Sequence, residues 1–206
     1  MIVAKFRKRE LVSNYTILTI LALTCILPIM LLFFNSIKPQ EEFGINPFGF
    51  PLSIRLENFV DAWIIGEYAQ IFLNSAKLVI GTLILNLTVS GLAGFSLAKL
   101  YPRGSNAFLV YLLVGVAIPA QMFILPLFLL WKELGLMNTH LGLIIIYAGL
   151  NAPFATFLIR SYMIQLPDEL FDAAKIDGAN TLQLFYRIAL PISWPVFLTT
   201  GLVVGL

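Results

Sequence analysis

Few of the 206 residues could do chemistry, and their spacing argues against catalysis by the chain itself. His140 is the only histidine and has no cysteine or second histidine with which to hold a metal. Cys25 is the only cysteine and sits in an apolar run, so neither a disulfide framework nor a thiolate metal site can form within the chain. Asp168 and Glu169 are adjacent; on a helix they point apart and make a poor acid and base pair. No Gly-x-Ser-x-Gly string marks a nucleophile, and no Gly-x-x-x-x-Gly-Lys-Ser/Thr cradle awaits nucleotide phosphates. The expectation is a non-enzymatic chain with no metal site and no cofactor of its own.

The polar residues that remain cluster in one segment, Leu166 to Pro191, the longest polar interruption in the second half of an oily chain. Pro167 suits a first helical position, Asp168 and Glu169 set negative charge at the positive end of a helix, and Lys175 sets positive charge near its other end. Gly178 supplies the stop, and Asn180 or Thr181 can cap a following helix. From Asp168 to Asp177 such a helix rises about 15 Å, roughly half the hydrocarbon thickness of a bilayer. It must lie outside the membrane between two spans. Leu170, Phe171, Ala174 and Ile176 can bury apolar area, Ala173 and Ala174 allow close backbone approach, and Asp172 and Lys175 can pair at i and i+3.

The elements that position this segment follow from composition. With 59% hydrophobic and 12% charged residues, the chain lacks the polar surface of a soluble globule, and its mean hydropathy is +0.91. A net charge of +2 is too small to imply nucleic-acid binding. Apolar runs predict five spans at about 15–34, 71–98, 108–131, 141–163 and 188–206, with a polar loop over 166–187. The first run follows a basic amino terminus but is longer than a secretory core and lacks a cleavage site, so it reads as an uncleaved span. Residues 37–70 read as a water-exposed loop with one short helix near 56–64. Ser90, Gly94 and Ala98 recur on one face of the second span and invite a neighbouring helix. Pro119 and Pro126 predict a kink or break in the third span, and Asn151-Ala152-Pro153 an interruption of the fourth. Gln121 and Asn151, polar and beside those prolines, are the candidate substrate-path residues, although each could equally satisfy a freed carbonyl. Asn74, Ser75 and Asn86 are weaker candidates.

Orientation follows from the basic residues. Lys5, Arg7, Lys8, Arg9, Lys99, Arg103, Arg160, Lys175 and Arg187 fall on one side, against Lys38, Arg55 and Lys132 on the other, with Lys77 inside the second span. The richer side is cytoplasmic, which places the amino terminus and the 166–187 loop there.

The string Asp-Ala-Ala-Lys-Ile-Asp-Gly-Ala at 172–179, followed by Phe185, Ile188, Leu190, Pro191 and Pro195, resembles the coupling loop of importer-type ATP-binding-cassette (ABC) permeases. The family pattern has Glu-Ala-Ala where this chain has Asp172-Ala173-Ala174. Pro119, Gln121, Pro126, the run Leu134 to Thr139 and Pro153-Phe154 resemble the carbohydrate-uptake branch, in particular its maltose-transporter-like second permease subunit. The resemblance implies an all-α, polytopic integral membrane bundle of about five helices with a short cytoplasmic coupling helix, forming a single permease domain over 1–206. It also implies a sixth span after Leu206, so that the sequence reads as truncated. Leu170, Phe171, Asp172, Ala173, Ala174, Lys175, Asp177, Gly178, Ala179 and Pro191 would form the ATPase-coupling site. The implied partners are a second homologous permease subunit, two cytoplasmic ATPase subunits that carry ATP and Mg, an extracytoplasmic solute-binding protein and membrane lipid. The implied activity is sugar or oligosaccharide import across the cytoplasmic membrane. An ion-coupled secondary transporter or channel, with the loop as an ordinary interfacial helix, is the alternative, and a non-transporting assembly subunit is a third reading.

Overall fold

The computed structural model describes the backbone of residues 8–206 and the side chains from Asn14 onward. Lys5 and Arg7, counted above for orientation, lie outside the described residues. The chain divides into two compact units, residues 1–71 and 72–206, and the described residues form helices without strands.

In the first unit, α1 runs from Lys8 to Ser36, and its stretch Asn14–Ser36 is long and apolar enough to cross a membrane. Pro28 lies within it. The following segment is more organised than an open loop. Beside the expected short helix, here α3 (Glu57–Ile65), it contains α2 (Gln40–Ile45), and both surround a buried lysine. Lys38 Nζ donates to Asn35 Oδ1 at 3.0 Å and to the carbonyls of Asn46 and Gly49, each at 2.7 Å. Asn58 Nδ2 donates to the Ser36 and Lys38 carbonyls, tying α3 to the same knot. A lysine with three acceptors stays buried because each ammonium hydrogen has a partner, a pairing over eleven residues that no periodicity announces.

Glu42 closes the knot by accepting from the Leu52 N–H at 2.7 Å and from the Ser53 hydroxyl at 2.9 Å. Its carboxyl is held below the ordinary value of 4.5, first by the Leu52 N–H and, after a smaller opposing effect of desolvation, by Ser53 and the charge of Lys38. The folded state therefore prefers the carboxylate. The support is complete above pH 4.5 and disappears as pH falls through the depressed folded value. Exchange protection of the Leu52 and Ser53 amides, corrected for intrinsic rates, is expected to be flat above that pH and to drop below it. Glu42→Gln should remove the dependence.

The second unit begins inside α4 (Tyr68–Phe95), which continues through a π-helical turn, Ser96–Leu100. Together they form a 33-residue apolar stretch, and α7 (His140–Met163) is the third helix long enough to cross. Between them lie α5 (Ser105–Ala117), a 3-10 turn (Ala120–Phe123) and α6 (Ile124–Glu133). The expected break in the third span is deep: the two arms meet at 93°, at Ile118-Pro119. Each arm is roughly 20 Å long, too short to cross alone. Pro126 takes no part in it, because it falls in the first turn of α6, where its missing N–H has no intrahelical partner to lose.

One expectation needs correction. The fourth span is not interrupted at Asn151-Ala152-Pro153, since α7 runs unbroken through Pro153. Support comes from α4, whose Asn86 Nδ2 donates to the Ala148 carbonyl at 2.8 Å and whose Ser90 Oγ donates to the Ala152 carbonyl at 3.3 Å. Both acceptors lie in the turns that lead into the proline. The fifth apolar run is bent. After the polar helix at 168–176 the chain forms α9 (Thr181–Leu184), a second π-helical turn (Phe185–Ala189) and α10 (Leu190–Ile192), then bends by 79° at Ser193 into α11 (Trp194–Gly205). Pro191 and Pro195 flank the bend, and each removes one backbone donor.

Small residues carry the close helix contacts. A Cβ on Gly94 would lie 3.1 Å from Ile159 Cγ2 and 3.2 Å from the Arg160 backbone nitrogen, and Ala98 is fully buried. Gly94→Leu is expected to push α4 from α7 and destabilise the bundle by about 1–3 kcal/mol. A lowered thermal midpoint of the detergent-solubilised protein would report it.

Candidate functional site

The packed core of the second unit does not sit at the centre of its spans. It gathers where α4 and α7 end and the polar segment begins, and includes Phe95, Ile159, Met163, Phe171, Leu184 and Phe185. The segment thus leaves the bundle from its best-packed end.

The helix expected in this segment, α8 (Asp168–Ile176), starts one residue later than the proline signal implied, with extended Pro167 just outside it. Its end is fixed by backbone geometry. Asp177 closes the helix, Gly178 takes the left-handed conformation with φ +82°, and the N–H groups of Gly178 and Ala179 donate to the Lys175 and Ala174 carbonyls at 3.0 and 2.9 Å. This pair of bonds is the Schellman arrangement, which glycine adopts without a Cβ penalty. Asn180, of the two candidates, then caps α9. Its Oδ1 accepts from the Gln183 N–H at 3.0 Å, while Gln183 Oε1 accepts from the Asn180 N–H at 2.8 Å.

One face of α8 turns inward. Phe171, read from sequence as apolar area for a partner's groove, is instead 3% exposed, with its ring 6.1 Å from that of Phe95, which lies 5.5 Å from the ring of Phe185. The reason is amphipathicity: the one aromatic ring of a nine-residue helix is claimed by the nearest apolar surface, which belongs to the same chain. Ala174 and Ala179 are partly buried against the same cluster. The outer face carries Leu170, Asp172, Ala173, Lys175 and Asp177, with Ile176 at 87% exposure. Lys175 Nζ meets Asp172 Oδ1 at 2.9 Å, an exposed pair worth a few tenths of a kcal/mol, roughly 0.3–0.5. Pro191, exposed in α10, follows the second π-helical turn and stands apart from the α8 surface in the chain.

Sequence reasoning missed Lys99. It entered only as a positive charge, yet its side chain is 4% exposed and its Nζ lies 2.6 Å from both Asp168 Oδ1 and the Leu166 carbonyl. The ammonium also sits 5.2 Å from the centre of the Phe171 ring. Nothing in the sequence pairs residues 99 and 168. The available signal was a lysine at the end of an apolar span that also carries close-packing small residues.

The substrate-path candidates are not brought together. Gln121 is exposed and lines a cavity of about 500 Å³ between α6 and α7 with Trp131, Asn138 and Tyr147, among others. Asn151 donates to the Tyr147 carbonyl on its own helix at 2.9 Å and does not line that cavity. Asn86 is fully buried and engaged in helix packing. Among the described residues no group of three or more His, Cys, Asp or Glu could hold a metal.

Comparison with known proteins places this geometry. A probable ABC transporter permease protein of Bacillus subtilis, YurM, is 33% identical over 85% of this chain and 58% of its own length. A Streptomyces coelicolor protein described as the diacetylchitobiose uptake system permease NgcG is 30% identical over 91% of this chain and 62% of its own. The chain thus spans about 60% of the length of these relatives. A chain in the crystal structure of a bacterial ABC transporter involved in import of the acidic polysaccharide alginate superposes with a TM-score of 0.74 at 24% identity, over 97% of this chain and 71% of that one. It shares the fold. Residues 90–204, which take in the close-packed end of α4, the polar segment 166–187 and most of α11, match the profile of a single family, and the chain belongs to it: the binding-protein-dependent transport system inner membrane components.

Proposed function

We propose that this chain is the transmembrane permease subunit of a binding-protein-dependent ABC importer that moves a sugar or oligosaccharide across the cytoplasmic membrane. The work comes from ATP hydrolysis in a partner, because ATP and Mg bind to the ATPase and this chain binds no cofactor. The partners are a second, homologous permease subunit, two cytoplasmic ATPase subunits and an extracytoplasmic solute-binding protein. The whole of 1–206 acts as one permease domain, with the amino terminus and α8 on the cytoplasmic side. Of the two candidate path residues, Gln121 faces the solute path through the cavity it lines, whereas Asn151 is engaged with the Tyr147 carbonyl.

The observation that carries this reading is α8 itself, a short amphipathic helix anchored to the bundle by one face and presenting the other. Leu170, Ala173 and Ile176 with Asp172, Lys175 and Asp177 form the surface that enters the ATPase groove. Ala179 and Pro191 route the chain back from it. The carbohydrate class rests on the relative named for diacetylchitobiose uptake and the structural neighbour from an alginate importer. The test is photo-crosslinking from Ala173 and Ile176 in intact membranes. Capture of an ATP hydrolase supports the coupling role, and capture of none, with the chain correctly inserted, sinks it.

A further inference from the structure

The coupling helix is joined by the chain to α7 before it and to α9 after it, but α4 is remote in sequence. A push on α8 can reach α4 only through non-covalent contacts, and the described structure builds them around Lys99. Its Nζ holds the Leu166 carbonyl, which precedes the helix, and the carboxylate of Asp168, the first helical residue; the ammonium also lies near the ring of Phe171, the residue α8 buries. Three attachment points spread over six residues fix the position of a nine-residue helix and also its tilt. The π-helical turn Ser96–Leu100, which the left-handed Tyr101 at φ +45° terminates, carries Lys99 in this place at the end of α4. Arg160 Nε, 3.4 Å from the Leu97 carbonyl, braces the same turn from α7.

We propose that Lys99 is a positioning residue for coupling: it locks the end of α4 to the amino-terminal half of α8, so that the two move as one body when the ATPase moves. This rests on the coupling role proposed above. A contact of two rings, Phe95 on Phe171, slides easily under load, whereas a buried ammonium with two short hydrogen bonds resists sliding because breaking it leaves a charge without partners.

Spin labels at Val89 on α4 and Glu169 on α8, both exposed and outside the surface assigned to the ATPase, test this in the complex isolated with its ATPase, with and without ATP and orthovanadate. With Lys99 present the distance between them is expected to stay constant on trapping. In Lys99→Met it should shift by about 2–5 Å, the scale of helix slippage, while ATP hydrolysis is retained, and Lys99→Arg should restore the constant distance. Asp168→Asn, which alters an exposed residue and leaves the fold intact, should give a smaller shift in the same direction and carries the test should Lys99→Met fail to assemble. A distance in Lys99→Met or Asp168→Asn that is as constant as in the unaltered protein overturns the role of Lys99. Failure of the underlying coupling role shows differently: no ATPase is captured from Ala173 even in the unaltered chain.

Discussion

Phe171→Ala is expected to detach the coupling helix from the bundle and abolish ATP-dependent uptake. The ring is 3% exposed and meets Phe95 on one side and the Lys99 ammonium on another. Truncating a buried phenylalanine costs about 3–5 kcal/mol, and a nine-residue helix has little else with which to hold itself in place. The loss should be local, because Asn86, Ser90 and Gly94 keep α4 on α7 without help from the loop. Membrane insertion should therefore be normal while the segment 166–180 becomes protease-sensitive and the ATPase no longer co-purifies. Phe171→Leu, which keeps most of the volume, should retain most of the activity.

The second large effect is at Gly178, where a side chain meets open space and the whole cost is conformational. At φ +82° a β-branched residue is strained by about 1–2 kcal/mol. That is enough to shift a local equilibrium by roughly 5–30-fold, here toward loss of the Schellman bonds to the Lys175 and Ala174 carbonyls. Gly178→Val should thus lower uptake of neutral oligosaccharides by roughly tenfold with insertion intact and ATP hydrolysis continuing. Gly178→Asn should lose little, because asparagine tolerates the left-handed region. Gly178→Asp should lie between them, since it adds a carboxylate beside Asp177. If valine and asparagine behave alike, the turn geometry is not what matters.

Both experiments fall on residues that the sequence singled out, though not for the reasons the structure supplies. Local signals were readable. The glycine stop, the acidic first turn of α8, the Asn180 cap and the break at Pro119 each depend on a handful of adjacent residues, and so did the apolar runs. What could not be read depends on pairs that meet only in three dimensions. The burial of Phe171 requires Phe95, and that of Lys38 requires the carbonyls of Asn46 and Gly49. Lys99 requires an aspartate 69 positions away. Proline is ambiguous for a related reason. Pro153 predicts a break unless a neighbouring helix braces the turns that lead into it, as Asn86 and Ser90 do, whereas Pro191 and Pro195 bend a run whose composition alone looks continuous. A proline reports a missing donor; its surroundings decide what happens next.

The bond from Asn86 to the Ala148 carbonyl also has a consequence for biogenesis. The acceptor lies 62 residues downstream of the donor, so α4 enters the bilayer with an amide whose eventual partner has not yet been made. At about 5–20 residues per second, the ribosome takes roughly 3–12 s to produce it. Through that interval the nascent hairpin must keep Asn86 near water, the translocation machinery or another polar group, because bare hydrocarbon offers none. The amide that later pins two spans together therefore sets an order of events: the fourth helix stays sheltered until the seventh arrives to release it into lipid.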